Sequence, residues 1–444
     1  MLKRFMLENF LSYRDESYLD LTADSTGDHK NHFSKFGKTK VLKSAVIYGA
    51  NASGKSNLIK ALSYSQDIIV EGLNNVQTYK KYFRLDEKSS TKPTIFEFEL
   101  EIDTDFYTYG FSILLHSQKI EEEWLYKMKA TTSEKIFERK NNDITIGTQL
   151  SNSTIKNKFN VYIEDMKHQS NQLFLTEIAN KNLENEKIMF LNNIFKWFNN
   201  KLIVLYPDSK FTAIRSINKD KNLSNVFSEY LKKFDTGILD INLLKEDFDD
   251  SLKHIPQEIK KKIEKDILKD QRQEISIKDS NGSVYTISKN DDNELTVDKL
   301  GLIHNKDIDE MFELSDESDG TKRLFDLIPL IECFSKDYTI VIDEFERSLH
   351  PNLTRKFFEL FYNLNKNKTQ LIVTTHEATL LDLKLLRRDE IWFIKKDKKN
   401  NSSQTYPLNQ FNIRNDKKIN KDYLDGRFDA VPIIELYDEI EVEL

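Results

Sequence analysis

Cysteine, glycine and proline are all scarce: 444 residues hold 1 cysteine, 12 glycines and 7 prolines. The single Cys333 excludes an intrachain disulfide and a cysteine zinc site. No apolar stretch approaches the roughly 20 residues of a spanning helix, so no membrane association is expected. The opening Met1-Leu2-Lys3-Arg4-Phe5 runs straight into a strand pattern without a signal peptide, and a cytoplasmic location is the expectation. Positive charge is not in excess either. Lys and Arg number 66 against 73 acids, a net −7, so overall charge does not announce a nucleic-acid binder. The basic runs Lys260-Lys261-Lys262 and Lys395-Lys396-Asp397-Lys398-Lys399 read as solvated faces or loops. There is no internal repeat and no low-complexity linker. What is present is a 39% hydrophobic content, typical of a globular chain, over a length that suggests two or three lobes.

Against that shortage of glycine, one loop stands out. Gly49-Ala50-Asn51-Ala52-Ser53-Gly54-Lys55-Ser56 follows the apolar run Ala45-Val46-Ile47-Tyr48 and precedes Asn57-Leu58-Ile59-Lys60-Ala61-Leu62, which has helical apolar spacing. Strand, glycine loop and helix in that order make a phosphate-binding P-loop. The glycines let backbone N–H groups turn towards phosphate oxygens, and the helix N-terminus adds about half a positive charge. Lys55 suits the β- and γ-phosphates of ATP, and the Ser56 hydroxyl suits Mg2+.

Asp337-Tyr338-Thr339-Ile340-Val341-Ile342-Asp343-Glu344 is a short β-rich run ending in two acids. In a P-loop enzyme such a strand delivers an Asp to the Mg2+ shell, here Asp343, and Glu344 is placed to polarise the attacking water. Some twenty residues earlier, Ser318-Asp319-Gly320-Thr321 opens a helical pattern from Leu324 to Phe334. A hydroxyl, a glycine and free N–H groups at a helix start form a second anion-binding end. Lying between a P-loop and an Asp-Glu strand, it resembles the signature loop of ABC-type ATPases, which binds the γ-phosphate held by the opposite subunit. Ser348-Leu349-His350-Pro351 then looks like their D-loop. The strand Gln370 to Thr375 ends in His376, which resembles their switch histidine.

Between the two halves the pattern changes. Leu2 to Leu21 reads as two strands, and Asp24 to Lys40 as loop. Thr94 to Phe137 alternates strongly, as in an antiparallel meander rather than βαβ units. Gln172 to Leu205, Leu223 to Phe234 and Ser251 to Lys269 read as helical. Glu274-Ile275-Ser276-Ile277 and Ser283-Val284-Tyr285-Thr286-Ile287 suit a hairpin, with either Asn281-Gly282 as a tight turn or Asp279 to Gly282 as a longer loop. The expected fold class is therefore α/β: an ABC-type P-loop ATPase head with an antiparallel β meander lobe and an inserted helical lobe. Three segments are expected: 1–165 with the P-loop and meander, 166–300 as the helical insertion with a small hairpin, and 301–444 with the remaining ATPase motifs. The longest charged helix is too short for a coiled-coil arm.

The opening Leu7-Glu8-Asn9-Phe10-Leu11-Ser12-Tyr13-Arg14 resembles RecF-like and OLD-like ATPases. Three further stretches are similar to one branch: Glu317 to Arg323, Asp343 to Pro351, and the ending Tyr423-Leu424-Asp425-Gly426-Arg427-Phe428-Asp429-Ala430-Val431-Pro432. That branch is the stand-alone ABC-type AAA ATPases of the RloA and AbiL kind, found in anti-phage defence operons. The resemblance implies a homodimer or higher homo-oligomer closing around ATP and Mg2+. It implies nucleotide contacts from Gly49 to Asn57 and from Ser318, Asp319, Gly320 and Thr321. It also implies a separate effector, a Toprim-like nuclease, since the fifty or so residues after Trp392 hold no Toprim acid cluster. Gln172, just before a helix, is a candidate for the Q-loop glutamine. The alternative reading is a RecF-like repair ATPase in direct contact with DNA.

Overall fold

The computed structural model describes residues 1–25, 29–151, 153–181, 188–208, 221–253, 255–269, 274–278, 284–290, 294–307, 310–411 and 418–431. The turn expected at Asp279 to Gly282, Ser283 at the start of the second hairpin strand, and Pro432 all lie outside the described residues.

Two compact units are present. The first is Met1–Pro207 with Cys333–Glu346 and Thr354–Leu444; the second is Asp208–Glu332 with Arg347–Leu353. In the first unit a six-stranded sheet runs in the order Leu202–Leu205, Thr339–Ile342, Gln370–Thr374, Ser44–Gly49, Ile391–Lys396, Ser403–Pro407. All its pairings are parallel except the last. Its central strands are buried at every residue, which is why they read as unbroken apolar runs rather than as alternation.

A seven-stranded antiparallel sheet carries the meander. Its order is Asp143–Ile146, Ser133–Lys140, Lys119–Met128, Asp105–Leu114, Thr94–Ile102, Leu2–Glu8, Ser17–Asp20. Here the alternation is real: Thr94, Phe96, Phe98 and Leu100 are buried while Ile95, Glu97 and Glu99 are half-exposed. Phe5, Phe10, Phe96 and Phe98 share one core with Leu58, Leu62 and Ile69 of the helix Lys55–Glu71. Each such side chain contributes about 1.5–3 kcal/mol on burial. Glu123 is fully buried in this unit and accepts the N–H groups of Phe174 (2.6 Å) and Leu175 (3.0 Å) and the Tyr109 hydroxyl (3.1 Å). It thereby pins the start of the helix Phe174–Asn180 to the meander. Burial raises its carboxyl above the usual range, with Arg139 opposing.

The second unit holds a five-stranded sheet in which Asp240–Asp247, Leu295–Ile303, Val284–Lys289 and Glu274–Lys278 follow one another and Phe312–Glu313 pairs with Leu295–Ile303. Phe248, Leu252, Ile263, Ile267, Tyr285, Ile287 and Val297 form its core. Among the described residues the longest helix is Lys55–Glu71, at 17 residues, so no coiled-coil arm is present there. None of the described helices is long and apolar enough to cross a membrane.

Three readings change. Asp24 to Lys40 is not all loop: Phe33–Phe36 and Thr39–Leu42 form a hairpin, with Gly37 at φ +59° in its turn. Leu202–Leu205, read as the end of a helical stretch, is the edge strand beside Thr339–Ile342. Four apolar residues carry no usable period, and pairing with a β-rich neighbour decides. Finally, the helices Phe174–Asn180 and Met189–Lys196 bury Phe174, Ile178, Leu191 and Ile194 in the first unit's core, so that unit extends to Pro207 rather than ending near residue 165.

Candidate nucleotide site

The P-loop strand Ser44–Gly49 ends beside Ile391–Lys396, with Gly49 opposite Ile394. A Cβ on Gly49 would meet the Ile394 carbonyl oxygen at 2.6 Å. Gly54 takes φ +116°, and a Cβ there would collide with Ser403 Oγ. Both glycines are therefore fixed by close approach and not by flexibility alone. The loop is braced from behind. Ser403 Oγ donates to the Ser53 carbonyl at 2.6 Å, Tyr13 OH donates to the Gly54 carbonyl at 3.1 Å, and Asn57 Nδ2 donates to Ser12 Oγ at 2.9 Å. Ala52 is held at φ +61°, a left-handed conformation that costs a non-glycine residue about 1 kcal/mol or more.

Lys55 and Ser56 open the helix Lys55–Glu71, whose N-cap Gly54 offers no side chain to the free N–H groups of the first turn. Lys55 is buried, and among the described residues its Nζ donates to the carbonyls of Gly49 (2.8 Å) and Ala50 (3.2 Å). Burial lowers its ammonium to about 8, opposed by Asp343, Glu346 and Glu344. An ammonium resting on loop carbonyls is poised to turn towards an arriving phosphate.

Asp343 follows the strand Thr339–Ile342 and is 3% exposed. One of its oxygens accepts from Thr374 Oγ1, and its own N–H donates to the Leu205 carbonyl at 2.8 Å. Glu344 turns out of the sheet at φ +49°, its N–H donating to Thr374 Oγ1 at 2.9 Å. The backbone N–H of His376 donates to Glu346 Oε1 at 2.7 Å. Burial, followed by the nearby Lys55 charge, lowers the His376 imidazole below its ordinary value. Lys55, Asp343, Glu344 and His376 thus meet at the carboxyl ends of neighbouring parallel strands, where open α/β sheets bind ligands. Thr374, Glu346, Ser12 and Ser403 belong to the same constellation and were not picked out from sequence. A Thr-Thr pair before the histidine, at the end of a strand next to the Asp strand, was the available signal for Thr374.

The residues fit Mg2+ and a triphosphate. Among the described residues no cluster of three or more His, Cys, Asp or Glu could hold a metal by itself. Mg2+ needs no such cage: one or two protein oxygens with phosphate and water suffice, and Ser56 and Asp343 supply that hard-oxygen set. The Ser53 hydroxyl, buried within the loop, has no hydrogen-bond partner among the described residues.

The signature segment lies in the second unit. Ser318 Oγ accepts the Thr321 N–H at 3.1 Å and caps the helix Asp319–Cys333. A Cβ on Gly320 would lie 2.8 Å from the Ser348 carbonyl oxygen, so the D-loop backbone packs on this glycine. Ser348 itself is at φ +62°. Gln172 does not join the site. Its carbonyl accepts from Arg139, and its side chain lies against Gly72, at the far end of the P-loop helix. At about 1.5 Å per residue that is roughly 25 Å from Lys55. A lone glutamine before a helix carried no more specific signal.

The family profile described as "AAA domain, putative AbiEii toxin, Type IV TA system" matches residues 44–382. The chain belongs to this family. The matched stretch starts at the P-loop strand and passes His376, so it contains the P-loop, Ser318 to Thr321, Asp343-Glu344 and His376, but not Ser12, Ser403 or the two chain ends. By that match the chain is an AAA-domain protein with a P-loop, Gly49 to Ser56. No curated protein matches the chain. Solved structures with a similar chain trace include an SMC head bound to the C-winged helix domain of ScpA, at 14% identity, TM-score 0.40, covering 91% of this chain and 97% of that one. The SMC head domain from Thermotoga maritima gives 13%, 0.37, 91% and 98%. A Smc head with an extended coiled coil, bound to the C-terminal domain of ScpA derived from Pyrococcus furiosus, gives 13%, 0.38, 91% and 96%. Overlap this slight says nothing about function.

Proposed function

We propose that this AAA-family chain binds and hydrolyses ATP, dimerises around it, and acts as a switch for a separate effector, a Toprim-like nuclease, in anti-phage defence. The convergence of Lys55, Asp343, Glu344 and His376 on the P-loop carries the ATPase reading. The sequence resemblance alone supports the effector and the defence role.

In this reading Lys55 and the N–H groups of the first helical turn hold the β- and γ-phosphates. Ser56 and Asp343 would hold Mg2+, which would supply neutralisation of the phosphate charge. Glu344 takes a proton from the attacking water, the oxygen bonds to the γ-phosphorus, and the bond to the β,γ-bridging oxygen breaks to leave ADP and phosphate. Thr374 holds Asp343 and the Glu344 backbone in register. His376, neutral at pH 7, hydrogen-bonds the γ-phosphate and reports its departure. The γ-phosphate is closed off by Ser318 to Thr321 of a second chain.

Phosphate release by the purified chain with Mg2+ and ATP, compared with Lys55→Ala, tests the reading. Loss of binding or turnover in the variant is expected. Unchanged ATP affinity together with unchanged turnover would remove the P-loop assignment.

A further inference from the structure

The strand Ile391–Lys396 leaves the sheet just past Gly49, because Ile394 is its partner there. The basic run Lys395 to Lys399 at its end, assigned to solvent from sequence, instead lines a cavity of about 740 Å3. Lys395, Lys396, Lys398 and Lys399 all line it, as do Asn51 and Ser53, whose hydroxyl has no partner among the described residues. Lys55 and Ser56 do not line it. The cavity therefore adjoins the P-loop through Ala50, Asn51 and Ser53, without the ammonium or the helix start that suit the ATP phosphates.

The lysines are carried on a fixed turn. Asp397 Oδ1 accepts the N–H groups of Lys399 (2.8 Å) and Asn400 (3.1 Å), the Asp397 N–H donates to the Ser402 carbonyl (2.8 Å), and Asn400 Oδ1 accepts the Ser402 N–H (2.8 Å). These backbone donors hold the Asp397 carboxyl below the usual range, so its charge is taken up in the turn. Lys395 Nζ stands 3.6 Å from the carboxylate of Asp429, which also lines the cavity. Lys396, Lys398 and Lys399 have no ion-pair partner among the described residues. Four lysines against two aspartates leave the cavity cationic in a chain whose net charge is −7. Its volume falls in the range of small-molecule sites, and ammonium groups of this kind bind phosphate as point charges.

We propose that this cavity is a second anion site that takes a phosphate ester, from a nucleic-acid strand or from a free nucleotide, beside the P-loop and outside it. Because Asn51 and Ser53 are shared with the loop, occupancy couples to ATP binding, and the coupling is reciprocal. The proposal does not depend on ATP hydrolysis.

The test uses the full chain with the P-loop disabled by Lys55→Ala, and in parallel the wild type saturated with a non-hydrolysable ATP analogue. Two probes are titrated: a labelled oligothymidylate of about 20 nucleotides, and AMP. Binding of the oligonucleotide, weakened about tenfold or more by Lys398→Glu/Lys399→Glu and falling steeply with salt, supports the site with a nucleic-acid source. Binding of AMP alone, with the same loss in the double variant, supports it with a free-nucleotide source. Lys398→Gln/Lys399→Gln gives a smaller loss in either case. If neither probe binds, or the charge reversal leaves binding unchanged, the proposal is overturned. One-for-one displacement of the probe by the ATP analogue also overturns it, since the cavity would then be part of the ATP site. A chain without ATPase activity that still binds a probe in this way keeps the second site and loses only the hydrolysis reading.

Discussion

Thr374 Oγ1 donates to the Asp343 carboxylate and accepts the N–H of Glu344 at 2.9 Å. One hydroxyl on the strand Gln370–Thr374 therefore sets both acids at the end of the neighbouring strand. Glu344 adopts a left-handed backbone at φ +49° there, and its N–H donates to this hydroxyl.

Thr374→Val keeps the shape and removes both bonds. Leaving the Glu344 N–H and an Asp343 oxygen without a partner costs about 1–3 kcal/mol. Turnover should fall about 10-fold to 100-fold, since the carboxylates lose their placement. Thr374→Ser retains the hydroxyl and should stay within about threefold of wild type. Steady-state ATPase assays with thermal melts separate the two. Equal turnover in wild type and Thr374→Val would show that the hydroxyl places nothing.

Lys55 gives a pH signature. Burial lowers its ammonium to about 8 from the ordinary 10.5, so the free site loses its charge as pH rises through 8. Bound phosphates favour the charged form and draw a proton onto Nζ. ATP binding should take up protons near and above pH 8, and affinity should weaken as pH rises past that point. Calorimetry in buffers of different ionisation enthalpy reads the proton directly. The same shift means that the unfolded chain holds more protons than the folded one between about 8 and 10.5, so this group makes stability rise with pH there. Proton release, or none, would contradict the lowered value.

Much of this site was legible in the sequence because its motifs are local. Gly49 to Ser56 and Asp343-Glu344 announce themselves within a few residues of chain. What was not legible joins distant positions. Thr374 and Asp343 are 31 residues apart, and Ser403 and Ser12, whose hydroxyls bond at 2.8 Å, are 391 apart. No spacing rule reports such pairs. The edge strand Leu202–Leu205 was hidden for a different reason: after a helix, four apolar residues look the same in either conformation. The lysine run at 395–399 was read as a solvated face because sequence shows its charge and not the cavity it lines.

Gly320 tests the shared site. Any side chain there must displace the Ser348 carbonyl 2.8 Å away, so Gly320→Glu disrupts the signature end of its own chain and should silence hydrolysis. Lys55→Ala disables the P-loop end. Mixing the two variants should restore one intact site per heterodimer, with up to roughly a quarter of wild-type activity if mixing is random. A mixture as inactive as either parent, with heterodimers shown to form, would remove the independent composite site.

Glu344→Gln tests the central claim most directly. The amide keeps the size of the side chain and cannot accept the water's proton, so ATP should bind with near wild-type affinity while turnover falls about 100-fold or more. The ATP-bound protein should then persist as a dimer through size-exclusion chromatography with light scattering, whereas wild type returns to its nucleotide-free state. Turnover within about threefold of wild type would contradict the assignment of Glu344 as the hydrolytic carboxylate.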